Sequence, residues 1–169
     1  MPTDLTPVIA ACARWLLNAY PPPPGALNTA LAEAQARQAA TAAAHLRYPT
    51  AMDVQLLHLL APSGSGRLDW LTGSEPQPDD ADTAWRTWVD ETVVSWAACL
   101  LADPALAARA HQTQVGNPDI TGLRRLSEPG THDRDAAVLL RHPDLLEGVA
   151  ALHRTQLTEL LDTDNATAA

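Results

Sequence analysis

Fourteen prolines divide the 169 residues of this chain, and the stretches between them are so rich in alanine and leucine that most read as single helices. Proline lacks an amide donor and pushes the residue before it out of the α region, so it opens helices in their first turn and ends the helices it follows. Thr6-Pro7 reads as an N-cap with proline just inside a helix over about 7–20, where Val8, Ile9, Cys12, Trp15, Leu16 and Ala19 recur at helical spacing. Residues 21–24, all proline, stop that helix as a short polyproline spacer; the functional alternative is a ligand for an SH3-type groove.

What lies between the prolines fixes the fold class. Alanine (32) and leucine (25) dominate, whereas Val and Ile together number ten and Phe is absent. A β-sandwich or barrel would need those missing residues. The expectation is an all-α fold, an irregular helical bundle of five to seven helices. Residues 1–162 form one helical domain and 163–169 a disordered tail. The alternative division is an N-terminal hairpin, 1–61, and a C-terminal bundle, 82–162, joined by the irregular stretch 62–81.

The helix over 26–46 has alanine at every second or third position, and each alanine buries little area, so it is expected at the edge of the core. Thr50 and Asp53 resemble a capping box ahead of a short helix over 51–61, apolar on most faces. That helix, with those over 82–102 and 143–161, is expected at the centre. On the 82–102 helix, Trp85, Trp88, Val89, Val93, Trp96, Cys99 and Leu100 share one arc opposite Arg86, Asp90 and Glu91. Asp103-Pro104 and His142-Pro143 restart helices. Between these, short helices are expected from Asn117 to Leu126 and from Asp133 to Arg141.

The net charge is −9, with no lysine: eleven arginines face twenty acids. Such a chain, with no basic cluster larger than Arg124-Arg125, is a poor ligand for nucleic acid or an anionic membrane. The N-terminus lacks a basic signal-peptide region, and no apolar run reaches the ~20 residues a membrane span needs. Cys12 and Cys99 have neither CxxC spacing nor nearby histidine, and read as buried thiols of a cytoplasmic protein. The codon-driven bias toward Ala, Arg and Asp suggests a GC-rich bacterial genome.

Motifs for phosphate, dinucleotide, serine-hydrolase, zinc-protease and calcium chemistry are missing, so no catalytic residue, metal ligand or cofactor is assigned. His132, Asp133, Asp135, His142 and Asp144 cluster in sequence, but turn and capping roles account for them. Arg125 and His132 match a loose Arg/His spacing found in helical ribonucleases. Two residues with Pro129-Gly130 between them do not make a family resemblance, and an acidic surface suits RNA badly.

The charge is unevenly spread. Segment 68–103 holds eight acids against Arg86 alone, a local net charge of −7, and four of the five tryptophans. The leading expectation is a non-catalytic interaction protein, such as an adaptor, inhibitor or regulatory subunit. It would dock a basic protein surface through Trp85, Trp88, Asp79, Asp80 and Asp82. The alternative is a small-ligand-binding bundle with Trp96 and His153 in an apolar pocket, since His153 sits amid Leu146, Val149, Leu157 and Leu160 on the last helix. A metal-dependent hydrolase or ribonuclease ranks third.

Overall fold

The computed structural model describes residues 5–52, 55, 84–116 and 123–167. Among them are seven helices and no strand: α1 (Thr6–Ala19), α2 (Ala26–Arg47), α3 (Ala84–Ala102), α4 (Pro104–Thr113), α5 (Arg124–Ser127), α6 (Thr131–Ala136) and α7 (Pro143–Thr167). The fold is an all-α bundle. One apolar cluster runs through it, from Leu5 to Leu161.

Asp103-Pro104 works as the sequence implies. Asp103 is extended, with Pro104 in the first turn of α4, and its Oδ1 accepts the N–H groups of Ala105 at 2.9 Å and Leu106 at 3.2 Å. The start of α1 is different. Leu5 takes the N-cap position without a side-chain bond, so Thr6 is helical and is not the cap. Leu5 is buried, and an apolar anchor sets the entry of this helix. After the prolines, Gly25 precedes α2 at φ +131°, a conformation that side-chain-bearing residues rarely adopt.

The alanine helix is central, against expectation. Ala32, Ala36, Ala39, Ala40 and Ala43 are buried, and α2 packs against α1, α3 and α6. Each methyl covers little area, but nothing large separates the backbones, so neighbours close on α2 from several sides. Of the 51–61 helix expected there, only residues 51, 52 and 55 are described; Met52 is exposed and the rest of the segment, like 62–81, lies outside the described residues.

Two other expectations change. From Thr92 to Leu101 every residue of α3 is buried, where one apolar arc had been expected, because α3 is held between α2 and α7. Among the described side chains of α1 the buried residues are Cys12, Ala13 and Leu16, while Trp15 is 50% exposed.

The helix expected over 133–141 begins earlier, as α6, and gives way to a turn after Ala136. Asp133 Oδ2 accepts the Gly130 N–H at 3.1 Å, which makes Asp133 the third residue of the helix and closes its first turn. The last helix, α7, continues to Thr167, past the limit near Leu161 that the apolar pattern sets. Among the described residues no single helix is long and apolar enough to cross a membrane.

Candidate functional site

The longest helix is broken where its sequence offers no breaker. At His153 the backbone of α7 leaves helical geometry, with φ −130° and ψ 19°. No proline lies there. The cause is on α3, whose buried side chains take over backbone groups of α7. Ser95 Oγ accepts the His153 N–H at 3.0 Å and donates to the Ala150 carbonyl at 3.3 Å. The Cys99 thiol donates to the same carbonyl at 3.1 Å, and Trp96 Nε1–H donates to the His153 carbonyl at 3.1 Å. Spacings of three residues (Trp96 to Cys99) and four (Ser95 to Cys99) put the donors on one side of α3, facing one turn of α7.

The His153 ring lies at the outer edge of this seam. Its Nε2 is 2.6 Å from Glu91 Oε1, and its Nδ1 is 3.1 Å from Gln156 Oε1. Serine, histidine and glutamate are the residue types of a hydrolytic triad. Here, though, Ser95 Oγ is bonded to backbone and the two ring nitrogens face Glu91 and Gln156, so the ring does not activate the hydroxyl.

One turn further along, α3 ends and α4 departs at a bend of 117°. The elbow and α7 border an open cleft of about 460 Å³. Its apolar lining is Cys99, Ala102, Leu106 and the two helix-opening prolines, Pro104 and Pro143. Its polar lining is Asp103, Arg109, Glu147, Arg154 and Thr158. Arg154 Nη2 donates to Glu147 at 2.8 Å, and Arg109 pairs with Asp162; all four side chains are about one-third to two-thirds exposed.

The break at His153 lies immediately before Arg154. Burial pushes the Cys99 thiol above its ordinary range, with the hydrogen bond from Arg154 opposing. Burial works against the Arg154 charge, yet hydrogen bonds to Glu147 and Cys99 hold that guanidinium above its usual range. Cys99 is therefore a protonated packing group here, and the polar chemistry of the cleft belongs to the two arginines.

The residues singled out from sequence fall elsewhere. Trp96 and His153, expected to line a pocket, are joined by the bond from the Trp96 indole to the His153 carbonyl, but Trp96 is buried and neither lines the cleft. Asp79, Asp80 and Asp82, and the side chains of Trp85 and Trp88, lie outside what is described.

Arg125 does not turn to His132. It grips Asp133 through Nε at 2.7 Å and through Nη2, while His132 is exposed on α6. Asp133 is held below the usual carboxylate range, chiefly by the Arg125 hydrogen bond against the opposing effect of burial. Gln35, fully buried on α2, completes this knot: its amide donates to the Asp133 carbonyl and accepts from Arg141 Nε, both at 3.4 Å. Burial, countered by Asp133, lowers the Arg141 guanidinium. His142 Nδ1 is 3.7 Å from Asp144 Oδ2. Among the described residues no three His, Cys, Asp or Glu side chains group as a metal site would require.

Arg109 and Arg154 carry no local sequence signal, being ordinary helical arginines 45 positions apart. Only the Asp103-Pro104 elbow, legible as a helix restart, marks where they converge. No family model, no curated protein and no solved structure matches the chain.

Proposed function

We propose that this chain is a non-catalytic, small-ligand-binding helical bundle whose site is the cleft at the elbow of α3 and α4 against α7. The observation that carries this reading is the cleft itself, about 460 Å³, with a lining divided between apolar and polar residues and two arginines on its walls. Small-molecule sites typically occupy ~300–1,000 Å³ and combine an apolar lining with a few placed polar groups. Trp96 and His153 serve the site from behind. They join α3 to α7 next to the break that precedes Arg154.

The test is a metabolite panel read by thermal shift and tryptophan fluorescence, since Trp96 lies one helical turn from Cys99 on the lining. A ligand at a hundredfold excess over Kd stabilises the native state by about 2.7 kcal/mol, which raises Tm by roughly 5–10 °C in a chain of this size. Ala102→Trp, which fills the cleft, should abolish the shift. A panel that moves neither signal removes the reading.

A second reading, docking of a basic protein partner, is favoured by the local net charge of −7 in segment 68–103 and by the exposure of Glu91 on α3. Changing Asp79, Asp80 and Asp82 together to arginine should lower capture of an arginine-rich peptide bait at low salt. Equal capture by the variant and the parent protein argues against it.

A further inference from the structure

We propose that the cleft receives a small organic monoanion, a carboxylate on an apolar body, with Arg154 and Arg109 as its anion-binding residues. This rests on the cleft being a ligand site and adds the chemical class of the ligand. Convergence supplies the first argument. In a chain with twenty acids and eleven arginines, two arginines from different helices converge on one cleft. Of the two carboxylates in the lining, Asp103 is spent: its Oδ1 holds two N–H groups at the start of α4, where the helix dipole offsets its charge. Each guanidinium already pairs with one partly exposed carboxylate, Arg154 with Glu147 and Arg109 with Asp162, so a ligand carboxylate competes for their donors rather than meeting an excess of positive charge.

Donor count supplies the second argument. A guanidinium carries five N–H donors in a planar fork suited to carboxylates. Arg109 uses Nη2 on Asp162, and Arg154 uses Nη2 on Glu147. Donors remain on both. The Arg154–Glu147 pair is half-exposed and screened by solvent, so an incoming carboxylate can take the place of Glu147 at little cost. The shape of the lining supplies the third. Ala102, Leu106, Pro104 and Pro143 offer an apolar bed beside the arginines. That bed suits a hydrocarbon body better than a bare or multiply charged anion. The acidic chain around it disfavours higher charge.

The experiment is calorimetric titration of the full chain with hexanoate, benzoate and cyclohexanecarboxylate, each beside its neutral primary amide, and with inorganic phosphate as a bare anion. At least one acid should bind about tenfold or more tightly than its amide. Arg154→Gln should weaken that acid about tenfold and leave the amide unchanged, whereas Glu147→Gln should tighten the acid severalfold by removing its competitor. The Glu147→Gln arm gains affinity, so it stands even if the arginine variant folds poorly. Acids and amides that bind alike, with no response to either substitution, overturn the anion assignment and leave the ligand cleft standing. Phosphate binding as tightly as the acids overturns the apolar body. If no compound binds, or if Ala102→Trp binds them all as well as the parent chain does, both the class and the cleft fall.

Discussion

The buried Ser95 hydroxyl of α3 accepts the backbone N–H of His153 at 3.0 Å, so a side chain on one helix breaks the hydrogen-bond ladder of another. The same oxygen donates to the Ala150 carbonyl, which keeps two backbone groups at the break satisfied. Ser95→Ala strips both of that partner. A buried backbone group left unpaired costs about 1–3 kcal/mol, so the variant should lose about that much stability in urea, with an unchanged m-value. Hydrogen exchange distinguishes the alternative: if α7 straightens and His153 N–H returns to the helical ladder, its protection rises and the loss is small.

Asp133 makes stability depend on pH in a definite direction. Its folded pKa is lowered, first by the Arg125 hydrogen bond and then by the Gly130 N–H, with burial opposing. The unfolded chain therefore takes up the proton first as pH falls. The contribution is complete above the unfolded value of about 3.9 and disappears as pH drops through the folded one. Asp133→Asn should cost roughly 1–3 kcal/mol at pH 7, the range for a partly buried charged hydrogen bond, and its stability should converge on that of the parent chain as pH falls through the lowered folded value. Parallel curves across that interval would show that Asp133 is not the group responsible.

The alanine face of α2 invites an overpacking test. Ala36 and Ala40 are buried between helices, so leucine at either position must push a neighbour aside. Overpacking a filled core costs about 1–3 kcal/mol. Leu27, on the first turn of α2 and 62% exposed, is the control: its replacement by alanine should fall within about 0.5 kcal/mol. Equal effects at the two kinds of position would mean that α2 is not enclosed.

How far these features could be read in advance follows from where their physics resides. The Asp103 cap, the helix opening at Pro143 and the all-α class are local, set by a residue and its immediate neighbours, and the sequence displays them directly. The central place of α2 is not visible in hydrophobic area per residue, because closeness of backbone approach decides it. Trp15 was placed inside by periodicity, yet α1 buries its Cys12, Ala13 and Leu16 side. The break at His153 depends on Ser95, 58 positions earlier, and Arg109 with Arg154 meet only through the elbow. No local pattern encodes such pairs.

The thiol of Cys99 gives the last test, and it reports on the wall of the cleft. Cys99 is 1% exposed, its proton is held by the Ala150 carbonyl, and burial raises its pKa despite the hydrogen bond from Arg154. The thiolate is the reactive form. At pH 8 the native thiol should therefore react with a disulfide reagent far more slowly than a free cysteine, and should react fully in denaturant. Linkage has the opposite sign from Asp133. The folded state keeps a proton that the unfolded state gives up, so the contribution of this group is complete below the unfolded value of about 8.5 and declines as pH rises beyond it. Cys99→Ser should flatten that alkaline loss, because serine does not titrate there and its hydroxyl can still donate to Ala150. Cys12 is also a buried cysteine and serves as an internal comparison. A ligand in the cleft should slow modification of Cys99 and leave Cys12 unaffected. Rapid native-state reaction at Cys99 would mean that α3 and α7 open there, and the cleft would then lack the fixed wall on which its selectivity depends.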